Sequence, residues 1–400
     1  MQEIQPENIN HSLHLIKLLI NQKRFSPQLL QQWEVLPRLK VAQDIDEALL
    51  RGLVSRLILE FPLVNHTSLI KTAFEKVEDK NSFLALTVKS ATRVGYGYLR
   101  KDIAVEILKL CEQLDPNFRL TLKYVAQLYS DTSNYQDAIR TGQKLIQNSE
   151  TLMQKVEANS AYLRALLSAG NWREVPQIIP DYKHQLKKLA QSSLENIAQE
   201  EATEMLQLAP FYLSYVEDKP RENRLFQNIT SQLFEINVKK RNIKSYCPSV
   251  FQKKYLKIGY FGYSLRSHSV GWLSRWLISN HNRNKFHVTV YLVDSKPDDL
   301  TKQLAKSVDH FRQLDKLTWE NAQRIADDEI DILVDVDSCT FTKNCTILSY
   351  KPAPIQVTWL GWDASGLPAI DYYLADPYVL PEDAQEYYQE TIWRLPNSYV

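Results

Sequence analysis

Glycine is scarce in this chain, 10 residues in 400. Gly259 and Gly262 close an apolar run without forming the G-x-G-x-x-G pattern that seats a dinucleotide pyrophosphate, so nicotinamide binding is not supported. Cysteine is scarcer still. Cys111, Cys247, Cys339 and Cys345 show neither C-x-x-C spacing nor the density of a disulfide scaffold. No run reaches the roughly 18 apolar residues of a transmembrane helix. The opening MQEIQPENINHSLHLIKLLI lacks the basic start and continuous apolar core of a signal peptide. A reducing cytoplasm fits these absences, and the sequons at Asn65, Asn228 and Asn344 then read as chance matches. Charge of one sign is missing as well. With 48 Lys plus Arg against 47 Asp plus Glu, the chain lacks the basic excess that drives phosphate-backbone binding, which makes nucleic acid a poor partner.

What is present is an ordinary globular composition, 44% hydrophobic and 24% charged, on a chain long enough for two or three cores. Up to about residue 250, apolar residues recur at three and four, as in LLQQWEVL and AVEILKLCEQL, the period of helices that bury one face. Ala104 and Ala138 each open such a run, one tetratricopeptide length apart, and Asp115-Pro116 falls where that repeat ends its second helix. Leu122, Val125, Ala126 and Tyr129 sit at the repeat's large, apolar, small and tyrosine positions. In LLSAGNWREV, Gly170 is expected to make the turn and Trp172 to fill the groove that Tyr135 fills one unit earlier. A short helical solenoid is therefore expected over residues 85–185, after an irregular helical region at 1–84 and before further helices at 186–238. A generic bundle of helical hairpins is the alternative. The basic, proline-bearing KKRNIKSYCPSVFQKKY reads as a solvated linker over 239–255.

From residue 256 to 400 the grammar changes. LKIGYFGY, FHVTVYLVD, DILVDVDS, IQVTWLG and IDYYLAD read as strands apolar on both faces. They alternate with the helical VGWLSRWLISNH, DDLTKQLAKSV and TWENAQRIADDEI, the last with Thr318 as a candidate cap and Asn321 three residues on. That alternation specifies a Rossmann-like α/β lobe, a parallel sheet covered on both sides. Ligands in such sheets bind beyond the carboxyl ends of the strands, where three segments offer chemistry. His268 lies in the loop before a helix start, which supplies free N–H groups. Asp335 and Asp337 alternate to the same side of a strand. Without His partners they make a weak metal site or base, and the plainer expectation is one carboxylate capping a loop and the other solvated. In KPAPIQVTWLGWDASGLPAIDYYLAD, Pro352 and Pro354 force an extended approach, and Gly361 to Gly366 form a loop whose glycines permit a close backbone approach to a ligand.

LKIGYF, HSVGWL, DILVDVDSCT, KPAPIQVTWLG and SGLPAIDYYLADP, in that order, resemble the O-linked N-acetylglucosamine transferases and their SPINDLY relatives. The resemblance covers about residues 256–400 and the helical repeats ahead of them. It implies a GT-B fold of two lobes, of which 256–400 is the first, with tetratricopeptide repeats presenting protein acceptors. It further implies inverting, metal-independent transfer of a sugar from a nucleotide diphosphate, UDP-GlcNAc by the family's habit, to Ser or Thr hydroxyls. His268 falls at the family's loop histidine, which implies a catalytic role as base or substrate-orienting residue, and Thr340, Gly361 and Asp363 fall at substrate-binding positions. Three departures stand out. Ser338-Cys339-Thr340 replaces Gly-His-Thr, Asn344 replaces an arginine, and Ser90, Tyr124 and Ala161 stand where the repeats carry an asparagine ladder. The family's second lobe, with the groups that hold the diphosphate, would follow Val400, so these 400 residues alone are expected to be inactive. The alternative is a non-catalytic adaptor with a degenerate lobe.

Overall fold

A computed structural model describes residues 8–62, 66–191, 206, 209–240, 254–315 and 318–400. Most of the expected linker, Asn65 and Cys247 lie outside them. The chain divides into two compact units, Met1–Pro180 and Asp181–Val400.

In the first unit the described elements are helical. They run α1 (Ile9–Asn21), α2 (Leu29–Gln32), α3 (Val35–Val41), α4 (Glu47–Glu60), α5 (Thr67–Lys76) and α6 (Lys80–Gly97). Then follow α7 (Lys101–Leu114), α8 (Arg119–Asp131), α9 (Tyr135–Gln147), α10 (Leu152–Ser168) and α11 (Val175–Gln191), which crosses the unit boundary. Ala104 and Ala138 are fully buried. Small residues sit at the tightest crossings for a steric reason: a Cβ on Gly95 would lie 2.9 Å from Ala104 Cβ, and one on Gly142 3.0 Å from Tyr162 Cα. Gly170, at φ +70°, makes the turn after α10, a conformation that disfavours a side chain. The expected groove-filling rings are corrected. Trp172 is 55% exposed, in the turn before α11, and Tyr135 36%, as the first residue of α9. Among the described residues no helix is long and apolar enough to cross a membrane.

In the second unit, after the end of α11, the described helices ahead of the sheet are Leu213–Val216 and Pro220–Lys239. A seven-stranded, wholly parallel sheet follows: β1 (Leu256–Gly262), β2 (Phe286–Val293), β3 (His310–Leu314), β4 (Ile332–Asp335), β5 (Ile355–Thr358), β6 (Tyr372–Ala375) and β7 (Thr391–Arg394). The strand order is β3-β2-β1-β4-β5-β6-β7. Successive strands run outward from β1 to one edge, and the chain then returns to place β4 on its other side. β1 and β4 thus flank the topological switch point, where the crossovers diverge and leave a crevice. The helices Ser269–Ser279, Asp299–Ser307, Thr318–Asp327 and Thr342–Ser349 connect the strands. Thr318 begins its helix as a helical residue rather than as the cap. Ile258, Val288, Val290, Leu292 and Val334 form the centre of the core on this sheet, which is why those strands read as apolar on both faces.

Candidate functional site

Register alone brings three loop origins together. Phe261 of β1 pairs with Asp335 of β4, and Asp335 with Thr358 of β5, so the segments leaving these strands emerge side by side at the carboxyl edge.

The first segment, 263–268, ends at His268. This residue is the N-cap of the helix Ser269–Ser279, with extended backbone (φ −144°, ψ 156°), and its Nδ1 accepts the Val270 N–H at 3.3 Å. The imidazole is exposed. The helix start rests on its own loop, since a Cβ on Gly271 would come within 2.1 Å of Arg266 O. Arg266 and Tyr263 belong to the site although their residue types alone gave no sign of it. The Arg266 guanidinium lies 4.6 Å from the Tyr263 ring centroid, and that ring stacks on Phe341 of the second segment at 4.6 Å and 28°. Such contacts are worth about 0.5–1.5 kcal/mol each and tie the two loops across the crevice.

The second segment begins with the two carboxylates. Neither is solvated, which corrects the expectation: Asp335 is 0% exposed and Asp337 1%. Two hydrogen-bond networks hold them inside. Asp335 accepts from Asp337 N (3.2 Å), Ser338 N (3.0 Å) and Thr358 Oγ1 (3.1 Å), while Asp337 Oδ2 accepts from Ser264 N (3.4 Å) and Asn344 Nδ2 (2.8 Å). Ser338 then takes a left-handed backbone (φ 56°), an energetically costly choice for a residue with a Cβ. Cys339 is fully buried, and burial pushes its thiol up to about 12, so it presents no nucleophile. Thr340 is exposed at the end of the turn, with its hydroxyl donating to Asp337 O at 2.6 Å. Among the described residues no cluster of three or more His, Cys, Asp or Glu could hold a metal ion.

In the third segment Leu360 is also left-handed (φ 73°). Two non-glycine residues in that region, on adjacent loops at one strand edge, are the kind of stored strain that collects at functional sites. Gly361 is required by protein backbone rather than by open space. A Cβ there would meet Asp337 C at 2.7 Å, Asp337 O at 2.8 Å and Val336 O at 3.0 Å. Asp363 is spoken for. Its carboxylate accepts from Tyr388 Oη (2.8 Å) and Ala364 N (2.7 Å) and pairs with Arg224 at 3.3 Å, while its carbonyl accepts from Ser338 Oγ. Arg224, on the helix Pro220–Lys239 and 4% exposed, also pairs with the fully buried Glu390 at 3.3 Å and lies 4.5 Å from the Tyr388 ring centroid. The same helix grips the loop further along: Ser231 Oγ donates to Ser365 O (2.8 Å), and Glu235 accepts from Ala369 N (2.8 Å).

Thr340, Gly361 and Asp363 thus surround the Asp337–Ser338 backbone. Among the described residues no hydrogen bond or ion pair joins His268 to them; its link runs through the Arg266–Tyr263–Phe341 stack on the same loop pair.

Burial raises the pKa of Asp335, with the Asp337 charge adding to it, to about 8, and burial likewise raises Asp337. A carboxyl raised above its unfolded value of about 3.9 favours the fold while protonated, and that contribution is lost as pH rises through the folded pKa. Urea midpoints are therefore expected to fall between about pH 4 and pH 8 and to level off above that, and less so in Asp335→Asn. An unchanged slope in the variant would remove Asp335 as the cause.

A model of the family described as Glycosyl transferase family 41 matches residues 181–400. The probable UDP-N-acetylglucosamine–peptide N-acetylglucosaminyltransferase SPINDLY of Solanum lycopersicum is 29% identical over 151 residues, 36% of this chain and 16% of that protein. Its namesake in Arabidopsis thaliana is 29% identical over 160 residues, again 36% and 16%. A solved mutant of Thermobaculum terrenum O-GlcNAc transferase superimposes with a TM-score of 0.57 at 22% identity, over 79% of this chain and 58% of that one. That likeness speaks to the fold, and the chain spans less than two thirds of each of these proteins.

Proposed function

Because this chain belongs to glycosyl transferase family 41, we propose that it is a protein O-glycosyltransferase of the O-GlcNAc transferase and SPINDLY type, or the first lobe of one. It passes a sugar from a nucleotide diphosphate donor, UDP-GlcNAc in the first instance, to Ser or Thr of cytoplasmic proteins that its helical unit presents. The observation that carries this reading is the exposed His268 at a helix start beside the β1–β4 switch point, on a base of buried, hydrogen-bonded carboxylates. Transfer is inverting: the acceptor oxygen bonds to the anomeric carbon from behind as the bond to the diphosphate breaks. The charge growing on the diphosphate calls for cations and N–H donors. Arg266, held over Tyr263, supplies one such cation.

His268 acts as an orienting group in this scheme. Its Nδ1 accepts the Val270 N–H, so the ring proton resides on Nε2 and the free edge donates. Thr340 offers an exposed hydroxyl, and Gly361 and Asp363 shape the loop beside it. The test is incubation of the intact protein with UDP-GlcNAc and cytosolic acceptor proteins, read as sugar mass added to Ser or Thr, together with calorimetric titration of UDP. Sugar addition and UDP binding support the transferase. Binding of neither would favour the adaptor.

A further inference from the structure

The helix Ser269–Ser279 has an unusual outer face. Val270, Gly271, Ser274 and Ile278 are buried beneath it, yet Trp272 (46% exposed), Leu273 (49%), Trp276 (68%) and Leu277 (45%) face outward. A helix apolar on all sides normally sits inside a protein. This one leaves two of the chain's eight tryptophans at the surface. Its one charged residue, Arg275, lies 4.6 Å from the Trp272 ring centroid and 5.8 Å from that of Trp276. Among the described residues Arg275 makes no ion pair, and its Nε is buried without a hydrogen-bond partner. Beside it a cavity of about 250 Å³ opens against the helix Asp299–Ser307, lined by Arg275, Trp276, Ser279, Leu300, Gln303 and Leu304. Lys302 and Lys306 are exposed on that second helix, and Asp299, the one acid on the two helices, pairs with Lys302 at 2.9 Å. Floor and flank are apolar, and the charge left over is positive.

We propose that this groove docks a protein segment that inserts an apolar side chain between the two helices and sets carboxylates against Arg275 and Lys306. The composition is that of an interface hot spot, Trp and Arg around a pocket, with the guanidinium already held by both rings and so little freedom left to lose on binding. The unpaired guanidinium selects an acidic rather than a basic partner. The groove lies toward the far end of the helix that His268 caps, and its docking role does not depend on the transferase reading.

The test uses the intact protein and a fluorescein-labelled amphipathic peptide built from Glu, Leu and Phe, against a control with Lys in place of Glu. Fluorescence anisotropy is expected to show binding of the Glu peptide alone. Trp276→Ala and Arg275→Glu should each weaken it by about tenfold or more, and Arg275→Glu should bring the Lys peptide toward parity. Trp276 is mostly exposed, so its truncation leaves the packing intact; Gln303→Trp, which fills the cavity from its rim, should block binding without removing any contact. Equal binding of both peptides, or indifference to all three variants, would overturn the proposal. So would binding only to phosphatidylserine vesicles, which would assign the face to a membrane, or dimerisation of the protein lost in Trp276→Ala, which would assign it to a second copy.

Discussion

Arg224→Met is expected to destabilise the second unit by about 3–5 kcal/mol, because it strands the buried carboxylate of Glu390 rather than merely deleting a contact. Glu390 is fully buried and would keep its own backbone N–H, the Gly366 N–H (2.6 Å) and the long Ser365 hydroxyl contact (3.4 Å). Burial already holds Glu390 above the usual carboxylate range, and the Arg224 charge is the main influence pulling it back. Without that charge the folded pKa climbs further, so the penalty is small while Glu390 is protonated and grows as pH rises through its folded value. Urea unfolding of Arg224→Met should therefore show a larger loss at about pH 8 than at about pH 5. Arg224→Met with Glu390→Gln should recover part of the loss, and a double-mutant cycle should give a coupling well above the few tenths of a kcal/mol expected for independent sites. Additive losses with no pH dependence would mean that the cluster is packing alone.

The second large effect is on chemistry. His268→Ala is expected to lower kcat for sugar transfer by about a hundredfold or more. The loss of its N-cap costs about 0.5–2 kcal/mol of stability. His268→Asn separates the two roles, because the amide oxygen of Asn caps a helix well but its shorter side chain does not carry a donor to the position of Nε2. Stability should return in His268→Asn while kcat stays low. Recovery of both would reduce His268 to a cap, and unchanged turnover in His268→Ala would take it out of the mechanism.

The buried strands of the second unit were legible because their burial is two-sided. β1, β2, β4, β5 and β6 appear as apolar runs, and the parallel sheet follows from their alternation with helices. β3 and β7 were missed for the converse reason. HFRQL and TIWR lie at the two edges of the sheet, where His310, Arg312, Gln313, Thr391 and Trp393 are exposed, so neither run carries an apolar signature. In the site, His268 was legible from its place between a strand and a helix. The burial of both Asp335 and Asp337 was not, because Thr358, which donates to Asp335, and Ser264 and Asn344, which donate to Asp337, come from other elements. Arg224 was the least legible of all. It meets Asp363 and Glu390 across 139 and 166 residues of sequence, a separation over which no local pattern operates. The same distance hides the pairing of Asp363 with Arg224.

Photo-cross-linking with a diazirine-bearing UDP-sugar, followed by peptide mapping, bears most directly on where the donor sits. Label is predicted on 262–268 and on the neighbouring segments 338–341 and 359–366, reduced by excess UDP. Label confined to the helical unit before residue 181, or to the groove at Arg275 and Leu304, with the three loops left unmodified, would contradict a donor site at the β1–β4 crevice.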